Sequence, residues 1–317
     1  MDVKLLLAAC CLVSSAVAQP SPPSVAYSTR AIKTPVPFAE GIISTAAASE
    51  FELAFSPSGT TVYFTRRGSE GKQKIYETMF ANGNWTPPQL APFSTDRDES
   101  PFITPDGNTM FFGSERPLPG RPNRGSFDMN VWKMRKTATG WSVPEPLPAP
   151  INEVQVASEE WPSSNSNFLF SLDGRHYFYC TMPRGTASIN IYQTSYANGV
   201  FSAPRVVEGL FSEKKYWQYS AVVSPDGKYL LFNSSGAPGG VGGEDIYVSR
   251  KTASGWSPAV GVGTAVNSLS EESSPRFSRD GKYFFFSREI KTDPKKDGLW
   301  DIFYVETAAL NLDKLFK

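Results

Sequence analysis

The chain has 317 residues, of which 13% are aromatic and 20% are charged, and its 31 basic and 31 acidic side chains give a formal net charge of zero. This balance argues against nucleic acid or an anionic membrane as a general partner. His176 is the single histidine, which excludes a histidine-based zinc cluster and leaves a Ser-His-Asp triad dependent on this one residue. We therefore expect neither a metal nor a cofactor.

The N-terminus has the pattern of a secretory signal peptide covering residues 1–18. Lys4 precedes a short apolar run, and Ala16-Val17-Ala18 forms a small-x-small cleavage site. Cleavage after Ala18 is the favoured prediction, and a lipid anchor at Cys10 is the alternative, for which the apolar run would be very short. We predict a secreted or periplasmic monomer whose residues 19–317 form one domain without a transmembrane segment.

Five short turns divide the rest of the chain at intervals typical of repeat proteins. Each turn ends in Gly, four of the five carry Asp before it, and an apolar or aromatic segment lies on either side. Asp-Gly supplies the turn chemistry of a β-hairpin, because Asp bonds its own backbone and Gly accepts positive φ. The turns are residues 56–59, 104–107, 171–174, 224–227 and 278–281.

A second hairpin follows each of the first four turns with constant spacing. A polar residue that precedes a β-branched residue is followed 11 residues later by an aromatic one, in the pairs Lys74 and Trp85, Asn130 and Trp141, Asn190 and Phe201, and Asp245 and Trp256. Four strands per repeat, here called A to D, make a propeller blade. The sequence thus predicts an all-β fold, a single β-propeller of four-stranded antiparallel blades. Its repeats cover about residues 45–92, 93–148, 149–208, 209–262 and 263–306.

The fifth copy lacks its last strand. We expect the N-terminal segment from about Val25 to Val36 to supply it, which would close the ring without a long open sheet edge. Five blades is therefore the predicted count. Six is the alternative if residues 20–50 and the long interval between Asp106 and Asp173 are less regular than this interpretation assumes.

Three recurring motifs resemble those of a known family. Ser-Pro-Asp-Gly-Lys-x-x-x-Phe, Asp-Ile-Tyr-Val and Gly-Trp-Ser-x-Pro are similar to the WD-repeat-like propellers of TolB-type proteins, over about residues 45 to 306. The first repeat lacks the Asp and the third lacks the Pro. The resemblance implies a β-propeller, usually extracytoplasmic in bacteria and often a binding platform. It does not imply a shared reaction.

Loop lengths separate a constant face from a variable face. The A to B and C to D turns lie at one end of the blades and are nearly constant in length. The B to C and D to A connections lie at the other end and vary. Recognition concentrates in variable loops on a rigid scaffold, so the variable face is the candidate functional face.

Polar residues cluster near this face. An acid or an amide lies eight residues before each turn aspartate or its equivalent, at the start of strand A. Because strand A is the innermost strand of a blade, these side chains should form a ring at the upper mouth of the central channel. Arginines follow strand B, and some aromatic residues lie outside the repeat pattern and could stack on a sugar or peptide. The predicted ligand-binding residues are Glu50, Asp98, Glu99, Gln218, Glu272, Arg66, Arg116, Arg184, Arg288, Trp161 and Trp217.

Two interpretations of this ring remain open. The acids and arginines could form ion pairs between blades that only close the ring, or they could bind a ligand. The preferred function is a binding or scaffold module for a protein, peptide or glycan. The alternative is a carbohydrate-active enzyme, a glycoside hydrolase or lyase, that uses Glu99 or Glu160 together with Glu272. Carboxylates that each face an arginine would count against that alternative.

Overall fold

The computed structural model describes residues 25–120, 128–152, 165–170, 176–182, 188–197, 200–213, 215–292 and 297–317, with the backbone alone for 165–170. The strands of these residues form five antiparallel sheets, which confirms the five-bladed β-propeller. The turn predicted at 171–174 lies outside the described residues. Within the described part, the two helices are 3₁₀ turns, Thr307–Leu310 and Leu312–Phe316, and neither is long and apolar enough to cross a membrane.

The chain runs from the inner strand A to the outer strand D in each blade. The A strands are Ser49–Phe55, Asp98–Ile103, Asn165–Phe170, Tyr219–Val223 and Glu272–Phe277. The B strands are Thr61–Arg67, Thr109–Ser114, His176–Thr181, Tyr229–Ser235 and Tyr283–Ile290. The C strands are Gln73–Ala81, Asn130–Thr137, Asn190–Ala197, Glu244–Thr252 and Leu299–Glu306.

Strand D of the first four blades consists of two short segments that both pair with strand C. These pairs of segments are Asn84–Trp85 with Gln89–Leu90, Gly140–Trp141 with Glu145–Pro146, Val200–Phe201 with Arg205–Val206, and Gly255–Trp256 with Val260–Gly261. The aromatic residues of strand D are at least half-buried and pack between blades. Trp141, for example, donates its indole N–H to Tyr63 of the preceding blade at 3.0 Å.

The N-terminal segment closes the fifth blade, as predicted, but only its last part does so. Val36–Pro37 pairs antiparallel with strand C of blade five, where Val36 lies opposite Tyr304. Earlier in the segment, Tyr27 lies outside the sheet and packs among aromatic rings; its ring centroid is 5.6 Å from the ring centroid of Phe55. The first and last blades are therefore joined by backbone pairing and by a shared aromatic core.

The repeated Pro and Gly of the turns have a packing role. Gly107 has φ +75°, and a Cβ there would overlap the ring of Pro57 in the preceding blade. Gly281 has φ +70°, and its Cβ would lie 3.1 Å from Cγ of Pro225, again in the preceding blade. The proline of one turn thus packs against the glycine of the next, which ties adjacent blades together on the constant face.

A bulge interrupts strand A at the same position in each blade. At four of these positions a residue other than glycine has positive φ: Glu52, Ser100, Ser220 and Ser274. The bulge amide bonds the preceding blade, since Ser274 N–H donates to Oδ1 of Asn233 at 3.3 Å. Such bulges re-aim side chains next to functional sites. Here they separate the apolar lower half of strand A from the polar residues at the upper mouth.

Candidate functional site

Three of the predicted ring acids form buried ion pairs with three of the predicted arginines. The joined atoms lie 2.9 Å apart in Glu50 and Arg66, 2.9 Å apart in Asp98 and Arg116, and 2.8 Å apart in Glu272 and Arg288. Each pair joins strand A to strand B of the same blade, near the end of strand B in blades one and five and two residues beyond it in blade two. The ion pairs expected between blades are therefore formed within blades, because the two strands are already neighbours in the hairpin.

Each pair also fixes the loop that leads into its strand A. In blade five, Glu272 accepts from the backbone N–H of Ser268 at 3.0 Å and from its hydroxyl, while Arg288 donates Nη2–H to the carbonyl of Val266. The same pattern recurs in the first two blades. In blade one, Glu50 accepts from Thr45, and Arg66 donates to the carbonyl of Ile43. In blade two, Asp98 accepts from Ser94, and Arg116 donates to the carbonyl of Phe93. The carboxylates therefore bind the protein's own loops.

The surroundings of these pairs hold them in place. The three carboxylates are fully buried, and the Arg288 guanidinium lies over the rings of Phe286 and Phe303 at 5.1 and 4.9 Å. Burial raises the pKa of Glu272, while its hydrogen bonds with Ser268 and the charge of Arg288 act in the opposite direction. Loss of one member of such a pair would leave the other charge buried without its partner, so each pair holds the upper mouth in this arrangement.

Glu99 belongs to a second, partly exposed cluster at the mouth between blades one and two. Arg97 bridges two carboxylates, with Nη2 3.0 Å from Glu99 and Nη1 3.3 Å from Glu115. Burial raises the pKa of Glu99 to about 7; Arg97 opposes this shift, and the nearby charge of Glu52 adds to it. This cluster is rich in acids and retains solvent contact.

Blade four departs from the ion-pair pattern. Gln218 stands where blades one, two and five have an acid, and Ser234 takes the strand position of Arg66 and Arg288. Both residues are buried, and Oε1 of Gln218 and Oγ of Ser234 have no hydrogen-bond partner among the described residues. Blade four therefore lacks the charged pair that closes the mouth in blades one, two and five.

The glycine-rich loop of blade four, residues 236–243, packs closely against blade five. A Cβ on Gly242 would overlap the carbonyl oxygen of Ser270, and one on Gly243 would lie 3.0 Å from Oε1 of Glu271. The loop amides are used internally, since Asp245 accepts from N–H of Val241 and of Gly242 at 2.9 and 3.1 Å. The glycines thus allow close approach between two loops.

This close approach creates a group of four residues, Trp217, Tyr219, Glu244 and Glu271, which we call the blade-four patch. Trp217 is 38% exposed, and its ring lies 6.1 Å from that of Tyr219. Burial raises the pKa of Glu244 to about 7; the charge of Glu271 adds to this shift, and a hydrogen bond from Asn233 opposes it. Neither carboxylate of the patch forms an ion pair with a basic residue in the described part of the chain.

Several predicted residues stand apart from these clusters. Glu160, Trp161 and Arg184 lie outside the described residues. His176 begins strand B of blade three, and burial raises the pKa of the nearby Cys180 thiol to about 11, which leaves that thiol unreactive. Among the residues that the structure describes, no group of three or more His, Cys, Asp or Glu side chains is placed to hold a metal ion.

The acidic part of the blade-four patch was not among the sequence predictions of a ligand site. A signal for it existed, because Glu244 ends the one B to C loop that has glycines in place of arginines. Close packing of that loop against the neighbouring blade could not be inferred from loop length or composition.

No protein-family model and no curated protein matches this sequence. Solved structures do match. A putative TolB from Agrobacterium tumefaciens is similar at 16% identity and a TM-score of 0.50, over 83% of this chain and 78% of that chain. TolB from Acinetobacter baumannii matches at 15% identity and a TM-score of 0.48; the match covers 83% of this chain and about half of that longer chain, 53%.

A glycoside hydrolase has a similar fold. The catalytic domain of the GH62 α-L-arabinofuranosidase from Coprinopsis cinerea matches at 12% identity and a TM-score of 0.54, over 86% of this chain and 97% of that domain. Identities this low establish the fold alone, since one propeller architecture hosts unrelated functions. The chain has a five-bladed β-propeller fold, and it is similar in fold to a putative TolB and to a GH62 α-L-arabinofuranosidase.

Proposed function

We propose that the protein is a secreted or periplasmic binding module that recognises a protein, peptide or glycan on its variable face, with the blade-four patch as the contact centre. One observation carries this proposal. The acids of blades one, two and five form ion pairs with arginines, whereas Glu244 and Glu271, whose charges interact, form no ion pair with a basic residue among the described residues and lie near an exposed tryptophan.

The chemistry of the patch favours a partner with basic or hydroxyl groups. Two neighbouring carboxylates attract a Lys or Arg side chain, and Trp217 can accept such a cation on its ring face or stack on a sugar. The acid-rich cluster around Glu99 adds negative potential at the same mouth. A basic peptide segment therefore fits the patch best, and a glycan is the second choice.

The enzymatic alternative receives separate support from one feature. Glu99 and Glu272 each face an arginine, at 3.0 and 2.8 Å, which weighs against the acid and base roles considered from the sequence. A carboxyl with a raised pKa beside a second carboxylate is, however, the usual arrangement for glycoside hydrolysis. In this chain, Glu244 and Glu271 have that arrangement, so a hydrolase would act through the blade-four patch.

A binding comparison tests the proposal. Wild-type protein, Trp217→Ala and a Glu244→Gln, Glu271→Gln double variant are screened on peptide and glycan arrays and used to capture partners from the secretory compartment. Both variants should weaken binding of the retained ligand at least about tenfold, as expected for centrally placed contacts. The matched control is Glu70→Gln, Glu145→Gln, which makes the same change in charge at exposed positions outside the patch.

The outcomes separate the two functions. Wild-type affinity in both patch variants would contradict the proposal, and loss of affinity in the control alone would do the same. Release of free sugar from an array glycan by the wild type, and its absence in the double variant, would establish the hydrolase in place of the binding module.

A further inference from the structure

The constant face carries a cavity of about 110 Å³ in the lower part of the central channel. The lower halves of the A strands of blades one, two, four and five line it, together with the turns of blades two, four and five. Its walls are mainly apolar, with Phe55, Val223 and Phe277 among the lining residues, and two arginines, Arg276 and Arg279, face the same space. Val223 and Phe277 are half-buried at its rim, so the cavity opens towards solvent.

Arg279 occupies a turn position at which three other blades have proline. Its side chain crosses the channel, where Nε and Nη2 donate to the carbonyl of Phe55 at 3.1 and 2.9 Å. Nη2 also donates to the carbonyls of Ile103 and Thr104, at 2.8 and 3.0 Å. Arg279 of blade five therefore joins blades one and two across the lower mouth.

Among the described residues, the positive charge of Arg279 has no anionic partner at bonding distance. Nη1 donates to no described acceptor, and no described carboxylate lies within 4.0 Å of the guanidinium. Burial lowers the pKa of Arg279 to about 10, and the more distant Asp106 acts in the opposite direction. A desolvated cation whose described partners are all neutral carbonyls is one that an anion would stabilise.

The nearby acids are engaged elsewhere. Asp106 and Asp280, on either side of Arg279 at the mouth, accept hydrogen bonds from hydroxyl groups of their own turns, from Thr104 at 2.5 Å and from Ser278 at 2.6 Å. Glu52 lies deeper in the channel, where it accepts from the N–H of Ser100 and its charge acts on Arg276. Nη1 of Arg279, for which the described part of the chain offers no acceptor, thus faces a mostly apolar space.

We propose that this cavity binds a carboxylate with a short apolar body. The carboxylate would accept from Nη1 of Arg279, and the carbon chain would contact Phe55, Val223 and Phe277. A volume of 110 Å³ equals that of about three to four water molecules, which suits a chain of about three to five carbon atoms. A free fatty acid of this length and the C-terminal residue of a peptide present the same chemistry. The site lies opposite the variable face and does not depend on the function proposed above.

Calorimetry and thermal unfolding with butyrate test this site. A ligand of this size should bind with a Kd of about 1 mM. At about ten times that concentration it should raise the Tm by roughly 2 to 4 °C. Butyramide and butylamine, which keep the carbon chain without the negative charge, should give no comparable shift. The dipeptide Ala-Val, with a free or an amidated C-terminus, distinguishes a peptide source from a free acid.

Two variants keep the result interpretable. Arg279→Met should abolish the response to butyrate, but it also removes hydrogen bonds between blades. The main variant is therefore Val223→Trp, which fills the cavity and leaves Arg279 in place. Val143→Trp, at a position that is 82% exposed, adds the same side chain outside the cavity and should respond as the wild type does. An equal response to butyramide, no response to either carboxylate, or full binding by Val223→Trp would each overturn the proposal.

Discussion

Blade five and blade four differ at the same place in their repeats. In blade five, Glu272 and Arg288 form a buried ion pair that fixes the loop preceding strand A. In blade four, Gln218 and Ser234 stand at the corresponding positions and form no such pair, and the following loop is rich in glycine. Charged residues close the mouth in one blade, while in the other an acidic patch stays open. A ring of acids and arginines in a sequence therefore does not by itself mark a binding site, and a blade that departs from the ring, as blade four does, is a better candidate.

Removal of one charge from the blade-five pair should have the largest effect on stability. Arg288→Met leaves Glu272 buried without its cation, so the free energy of unfolding should fall by about 3 to 5 kcal/mol. Urea denaturation of wild type and variant measures this difference. A loss below about 1 kcal/mol would show that the pair resembles a surface ion pair in its energetics and would remove the contrast between the blades.

The packing of the glycine-rich loop should rank second. Gly242→Ala places a methyl group against the carbonyl of Ser270 and should cost about 1 to 3 kcal/mol. The matched control is Gly68→Ala in the corresponding loop of blade one, where a Cβ meets no atom within 4 Å. Denaturation curves of both variants test this, and equal stability of the two would contradict the close approach of the loops.

The buried acid of the blade-four patch should give a pH-dependent effect. The pKa of Glu244 is raised from 4.5 to about 7, so folding favours the protonated form. Its stabilising contribution is complete below pH 4.5 and is lost as the pH rises through 7.

The Glu244→Gln variant isolates this contribution from those of other titrating groups. The stability of the wild type relative to the variant should fall by on the order of 1 to 3 kcal/mol between pH 4.5 and 8. Chemical denaturation at several pH values measures the difference. A difference that stays constant with pH would show that Glu244 is ionised throughout the range.

The neutral position of blade four should give the smallest change. Gln218→Leu removes a buried carbonyl oxygen that lacks a partner among the described residues, so stability should stay within about 1 kcal/mol of the wild type or rise slightly. If the same variant loses ligand affinity, Gln218 serves recognition and not folding. A clear loss of stability would instead show that Gln218 contributes to folding.

The fold was predictable because its signals are local. Asp-Gly turns and the 11-residue spacing of the second hairpin each report on a few neighbouring residues, and together they gave the strand order of a blade and the number of blades. The closing strand lies at the end of the predicted segment, at Val36–Pro37. The start of the segment does not pair in the sheet, because Tyr27 packs into the aromatic core instead.

The site was predictable only in part. The sequence located the acids and arginines of the upper mouth, but their pairing within blades depends on a strand register that the bulges set. Contacts between different blades, such as that of Gly242 with Ser270 or of Arg279 with Ile103, join residues far apart in the chain. For Arg279 a signal was present, since it replaces the proline of the other turns, but its crossing of the channel required the three-dimensional arrangement.

The closure of blade five also governs how the ring assembles. Hairpins within each blade join near neighbours in sequence and can form early, whereas Ser44 meets the carbonyl of Ile302 across 258 residues of chain, so closure should come late in folding. The closing strand has two residues, while Leu299–Glu306, which it covers, has eight. Before closure, this strand is an unpaired sheet edge that another copy can bind. Val36–Pro37 therefore acts as protection against aggregation as well as a link between the first and last blades.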